Sequence, residues 1–249
     1  MYKLLFLLLL ISHTITTMQA KTIRIAAIDW CPQLCPKETQ DGYVLDIIKE
    51  VFKNSIYKIE VQTYPWSRAI SMTKNGTVHA LLSPAKKEAP NLIYPKKPVG
   101  KQQMCFFSTK SSLWEYKSIN SLKNKNIGIA TDTSIEELNH YIKQNSKQFQ
   151  YLPYSQFYIK QSLLKLDRKR FDAFLFTKNS TVYKINLLGL KGQYKNVGCV
   201  SSANIYIAFT PQKSLRPYIN EIIDFFDKKM QKINQTNKIK VIMKSYGLE

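Results

Sequence analysis

Histidine is almost absent from this chain, with three in 249 residues, and one of them, His13, falls in the N-terminal apolar segment. His79 and His140 alone remain beyond it, which leaves a zinc or iron site short of ligands. No C-x-x-C occurs: the closest pair, Cys31 and Cys35, has three residues between, neither a redox motif nor a zinc pair. Acidic residues are scarce, 17 against 37 Lys and Arg, for a formal charge of +20. The lysines are scattered, with pairs at Lys86–Lys87, Lys96–Lys97 and Lys228–Lys229 and no long basic run. With no Arg-rich helix, zinc-finger spacing or aromatic RNA-binding signature, the excess reads as a solvated basic surface and not as a nucleic-acid site. After residue 21 no segment is long and apolar enough to cross a bilayer.

What is present begins with a leader. Lys3 gives a positive start, Leu4 to Ile11 a short apolar core, and Thr14 to Ala20 a small or polar stretch. That order predicts a secretory signal peptide over residues 1–20, cleaved after Ala20. No Cys follows the apolar core, so no lipid anchor is expected, and the mature chain is expected to be periplasmic or secreted. Four cysteines remain in an oxidising compartment, which suggests disulfides. Pro32 makes Cys31 and Cys35 a turn-prone pair and a candidate bond.

The mature chain alternates strand and helix. Thr22 to Ile28 reads as a buried strand, Gly42 to Phe52 as a helix, and Lys58 to Tyr64 as a strand. A helix should begin at Pro65 and stop at Asn75-Gly76, before a strand over Val78 to Leu82. The pattern restarts after a Pro-rich stretch: strands over Met104–Ser108 and Asn126–Ala130, then a helix opened by the Thr133/Glu136 capping box. A helix over Ile159–Leu166, a strand over Phe171–Phe176 and a helix over Thr181–Leu188 follow. A strand over Asn204–Phe209 and helices over Leu215–Met230 and Ile239–Tyr246 complete the chain. This is α/β organisation in two halves, each predicting a parallel sheet covered by helices.

Several fragments, in order, resemble the extracellular solute-binding protein family 3, known from polar amino-acid uptake. They are Ile23 to Trp30, Gly42-Tyr-Val-Leu-Asp46, Trp66 with Ala69-Ile70, and Gly76 to Leu82. Ser121 to Ile129, Phe171-Asp-Ala173, Ile205 to Phe209 and Met243-Lys-Ser-Tyr-Gly247 continue the match over nearly all of the mature chain. Pro65-Trp-Ser-Arg68 and Ala89 to Pro95 resemble a divergent branch. The resemblance implies a two-lobed periplasmic-binding-protein fold of type II, each lobe a mostly parallel sheet flanked by helices. It places lobe 1 at 21–100 and 205–249 and lobe 2 at 101–204, joined by a double crossover hinge that closes on a ligand. Cys105 and Cys199 would then both lie just inside lobe 2 beside a crossover, and are the second candidate disulfide.

The same resemblance implies the site. Trp30 and Tyr43 fall where aromatic walls surround the ligand, with core packing as the alternative for each; Trp66 and Arg68 open the second helix nearby. Thr131, Asp132, Thr133 and Ser134 form a strand-to-helix turn suited to an acid group, although Asp132 would oppose an anion. The family's carboxylate-binding Arg has no counterpart on Ser83-Pro-Ala-Lys-Lys-Glu88, where Ser83 and Lys86 or Lys87 are the available groups. Its amine-binding Asp falls on Thr177. Both halves of a zwitterion clamp are thus altered, and the expected ligand is a small polar or anionic molecule with an apolar portion. No cofactor and no metal are implied. The expected partners are that ligand and a membrane permease or receptor, with no nucleic acid, for a monomer serving an ABC-type uptake system. Two readings compete: a sensory ligand-binding module, and a dehydratase-like enzyme on the same fold, whose acid or base would come from Asp29, Asp132 or Glu88.

Overall fold

The computed structural model describes residues 20–35, 40–131, 135–153 and 155–248. The expected signal peptide, apart from Ala20, and the turn residues Asp132, Thr133 and Ser134 lie outside them.

The first half opens with β1 (Lys21–Ala27), whose Ile23, Ile25 and Ala27 point to one buried face. Helix α1 (Tyr43–Phe52) turns seven buried residues onto that face. It is entered through Gly42 at φ 101, where an added Cβ would stand 2.5 Å from the Gln33 carbonyl, so only glycine fits. Strand β2 (Tyr57–Thr63) pairs parallel with β1. Pro65 then precedes α2 (Trp66–Lys74), and β3 (Ala80–Ala85) returns parallel to β1 on its other side.

The second half begins with β4 (Gly100–Thr109) and β5 (Ile127–Ala130). Helix α3 (Glu136–Gln144) starts later than the Thr133 capping box predicts. At its start the Ile135 N–H donates to Asn139 Oδ1 at 3.0 Å. There follow β6 (Phe149–Leu152), α4 (Tyr158–Asp167), β7 (Ala173–Thr177) and α5 (Lys178–Leu187). Strand β8 (Tyr194–Phe209), α6 (Arg216–Asn234) and α7 (Lys238–Ser245) end the described chain.

Among the described residues one curled eight-stranded sheet forms, in the order β2-β1-β3-β8-β4-β7-β5-β6. It is two parallel triplets joined by an antiparallel pair. β1, β2 and β3 are parallel to one another, as are β5, β6 and β7, while β4 and β8 run antiparallel to each other and to their outer neighbours. Helices cover both faces of each triplet, as a parallel sheet requires. The first triplet packs Ile25, Ile48 and Phe226 on one face and Ala26, Leu81 and Ala208 on the other. The second packs Phe107, Leu163 and Phe174 on one face and Phe106, Ile129 and Leu138 on the other.

Strand β8 is much longer than the expected Asn204–Phe209, and β4 begins at Gly100, ahead of Met104. Both cysteine pairs are disulfides, Cys31–Cys35 and Cys105–Cys199, and the second joins β4 to β8 directly. The C-terminal segment is fixed by Tyr246, 2% exposed. Its hydroxyl accepts from the Gly42 N–H at 2.9 Å and donates to Asp46 Oδ2 at 2.6 Å. Tyr246→Phe would leave both groups unpaired beside the entry to α1. A loss of about 1–3 kcal/mol in unfolding free energy is expected from urea titration, with an unchanged slope.

Candidate functional site

The site follows from the strand register. At the end of β3, Ala85 pairs with Ile205, which also pairs with Gly100 at the start of β4. At the end of β7, Thr177 pairs with Met104, farther along the same β4. Gly100 and Met104 are four residues apart, roughly 13 Å at about 3.3 Å per residue. The carboxyl ends of β1 and β3 therefore face those of β5 and β7 across a narrow waist, floored by Gly100–Met104 and Ser201–Ile205. Open α/β sheets bind ligands at such strand ends.

Polar groups gather there without partners. Among the described residues seven side chains carry a buried polar atom lacking any hydrogen bond, and five of these are at the waist or the strand ends beside it. They are Trp30 Nε1, Ser83 Oγ, Gln102 Oε1, Thr177 Oγ1 and Ser180 Oγ. Each costs about 1–3 kcal/mol if it meets neither water nor ligand. Ser83 adds backbone strain. It is fully buried, its φ is 66°, and it sits in the bulge where β3 slips relative to β8 between Leu82 and Ala85.

Two cavities flank the waist. One, of about 390 Å³, is lined by Lys86, Glu88, Gln102, Met104, Ser202 and Tyr206 among others. In it Lys86 Nζ stands 5.1 Å from the Tyr206 ring and 5.8 Å from Tyr94, a cation held over two aromatic faces. Glu88 Oε2 accepts from the Ala85 N–H at 2.7 Å. Burial raises the Glu88 pKa, opposed by that bond, which favours the charged form. The other cavity, of about 320 Å³, includes Trp30, Tyr158, Phe176, Ser180, Tyr183 and Lys184 in its lining.

The expected site residues thus separate. Trp30, Ser83, Lys86 and Thr177 come to the waist or its two cavities. Thr131 is at the end of β5, where its N–H donates to the Leu152 carbonyl at 2.8 Å; Thr133 lies outside the described residues. Tyr43 is a core residue, 1% exposed, and its hydroxyl accepts from Asn179 Nδ2 at 3.1 Å. Burial pushes its pKa up to about 12. Trp66 is half-buried in the α2 packing, and Arg68 is exposed with its guanidinium 5.5 Å from the Tyr64 ring centre; neither lines the two cavities. Gln102, Ser180 and Lys184 also line the two cavities and were not among the residues that the sequence singled out. Ser180, three residues past the end of a strand and in the first turn of a helix, carried the one readable signal. Among the described residues no three His, Cys, Asp or Glu side chains converge as metal ligands.

Two parallel triplets on a shared antiparallel pair, with strand ends opposed across it, define the two-lobed periplasmic-binding-protein class of fold. Solved structures agree. A probable amino-acid ABC transporter extracellular-binding protein, YtmK of Bacillus subtilis, superposes with a TM-score of 0.68 at 18% identity, over 92% of this chain and 98% of that one. A histidine kinase sensor domain with similarity to periplasmic binding proteins gives 0.65 at 16%, over 92% and 96%. A substrate-binding protein of an ABC uptake transporter from Streptococcus pneumoniae, with bound histidine, gives 0.64 at 14%, over 90% and 92%. Identities this low establish the fold alone. No family model and no curated protein sequence matches the chain.

Ser83→Gly removes both the left-handed serine and its unpartnered hydroxyl. We expect stability to rise by about 0.5–1 kcal/mol in denaturant titration while ligand affinity falls, the signature of strain kept for function. Glu88 has a folded pKa above its unfolded one, so its contribution to stability is greatest at acid pH and is lost as pH rises through the folded value. Glu88→Gln should therefore gain on the parent protein as pH rises above the ordinary carboxylate range in paired unfolding curves.

Proposed function

We propose that this chain is an exported solute-binding protein that captures a small polar or anionic ligand at the waist by hinge closure. The observation that carries this reading is the set of buried, unpartnered polar atoms on Trp30, Ser83, Gln102, Thr177 and Ser180, spread over strand ends of both halves. A ligand that reaches both sides would satisfy several such groups at once, and a ligand of that reach favours the closed population. In this reading lobe 1 comprises 21–100 and 205–249, lobe 2 comprises 101–204, and β4 and β8 are the hinge strands. The role is binding and not catalysis, no cofactor takes part, and the chain acts as a monomer outside the cytoplasm.

The ligand class rests on what surrounds the waist. Thr177 offers a hydroxyl where an amine would need an acid, and Ser83 to Glu88 contain no guanidinium for a bidentate grip on a carboxylate. A small acid or polar metabolite with an apolar portion fits better than an α-amino acid. A permease is the proposed partner. A sensory role is the second reading, favoured by the likeness to a histidine kinase sensor domain; genes beside this one would separate the two, permease and ATPase against kinase or cyclase.

Native mass spectrometry of freshly purified protein should reveal a co-purified small molecule. Returned to stripped protein, that molecule should lower the radius of gyration in small-angle scattering. At a hundredfold excess over Kd it should add about 2.7 kcal/mol of stability. An unchanged scattering profile at saturation would remove hinge closure, and a submicromolar common α-amino acid found by calorimetry would remove the ligand class.

A further inference from the structure

The smaller cavity is a groove with one chemical bias. Its floor is a stripe of α5: Ser180, Tyr183, Lys184 and Leu187 follow the i, i+3, i+4, i+7 spacing of one helix face. The start of α4 closes one side with Tyr158, and the loop after β1 closes the other with Trp30 and the Cys31 end of the disulfide. Residues from both halves of the chain thus meet around it.

Two of the polar side chains lining the groove, Trp30 and Lys184, can only donate; Ser155, Gln156, Tyr158, Ser180 and Tyr183 can donate or accept, and Asp29 is the one acid. Helix α5 has ten residues and no acidic residue in its first turn. Its first N–H groups lack intrahelical acceptors and stand at the positive end of the helix. Thr177, the N-cap, makes no side-chain cap bond. Thr177 Oγ1 and Ser180 Oγ are both unpartnered in residues only 3% and 2% exposed, and Ser180 lines the groove. Trp30 Nε1, a donor only, is buried opposite without an acceptor. Lys184, one turn below Ser180, is half-buried and forms no ion pair among the described residues. The acid at the rim, Asp29, is exposed and already engaged in a contact of its own. Between these donors the walls are the rings of Tyr158, Phe176 and Tyr183.

We propose that this groove binds the carboxylate of an aromatic acid, with the acid group on Ser180, Trp30 and Lys184 at the α5 N-terminal face and the ring between the tyrosines. The proposal deepens the binding reading above and rests on it, since the groove needs both halves in place. A donor-rich, ring-walled pocket of about 320 Å³ is at the small end of the ~300–1,000 Å³ range of ligand sites, enough for one ring and its acid. Loss of the zwitterion clamp fits the same ligand: the one carboxylate lining the groove, Asp29, is exposed at the rim and already engaged.

The test uses benzoate as the probe, with benzylamine and benzamide as ring-matched cation and neutral controls. The readout is the indole N–H resonance of Trp30 in a ¹H–¹⁵N spectrum, assigned with Trp30→Phe. Benzoate should shift that resonance to saturation, and the two controls should not at equal concentration. Ser180→Ala and Lys184→Gln should each weaken benzoate by about tenfold, the loss expected of one charge-assisted hydrogen bond. Equal shifts from benzylamine or benzamide, benzoate affinity unchanged in both variants, or no saturable shift would each overturn the proposal. If benzoate gives no response while the co-purified molecule still closes the protein, the aromatic-acid site alone falls. If closure is absent as well, the binding reading beneath it falls too.

Discussion

The pairing of β4 with β8 is the constraint on which the rest of the structure depends. Among the described residues no other strand pair connects the two parallel triplets, and its ladder runs from Gly100↔Ile205 to Thr109↔Tyr194. Outer strands of both triplets are hung on it, β3 on one end of β8 and β7 on β4. The Cys105–Cys199 bond lies within this ladder, beside the places where its register slips between Met104 and Phe107. Cross-linking at that point holds the pair together where backbone hydrogen bonding is weakest. The polar stretch nearer Gly100 is left without such a clamp, and that stretch is the floor of the site.

A second connection between the halves is made by α5. Asn179 donates to the Tyr43 hydroxyl, Asn186 Nδ2 donates to the Gly247 carbonyl at 3.1 Å, and Tyr183 lies tilted against Tyr246 at 6.4 Å between ring centres. Val182 and Tyr183 pack on the core of the first half although their helix belongs to the sequence of the second. The helix whose first turn holds unpartnered hydroxyls is thus also the one that touches both bodies. A group bound at its N-terminus has a physical route to their relative placement through a single rigid element, with no chain of intermediates required.

Much of the architecture was legible because its punctuation is chemical. Gly42 and Pro65 mark the entries to α1 and α2, and the β-branched runs around Ile23 and Ile127 mark buried parallel strands. The long reach of β4 and β8 was not legible. Lys101 to Gln103 on one strand and Ser201, Ser202 and Asn204 on the other are polar, with only the small Ala203 among them, so no alternation of apolar side chains betrays them. Strand β6 escaped because it has four residues, two of them exposed. Of the candidates that the sequence offered through its resemblance, Trp30, Ser83, Lys86 and Thr177 come to the waist or its cavities. Gln102 and Ser180 are ordinary polar residues marked out by burial without a partner, and half-buried Lys184 by lying one turn from Ser180; no sequence displays that. Tyr43 and Arg68 lie elsewhere, the first hydrogen-bonded in the core and the second outside both cavities over Tyr64.

The discontinuity of the first half bears on how the chain is made. Its strands β1, β2 and β3 lie near the N-terminus, yet β3 must wait for Ile205, Ile207 and Phe209 before its free edge is covered. Residues from Gly100 to Asn204, by contrast, contain all of β4 to β7 and most of β8 in one uninterrupted stretch. A polypeptide emerging N-terminus first can finish its later half before its earlier one, and the β3 edge stays unpaired until the end of β8 has appeared. The interval of greatest exposure to mispairing and aggregation is therefore set by the distance along the chain from β3 to the end of β8.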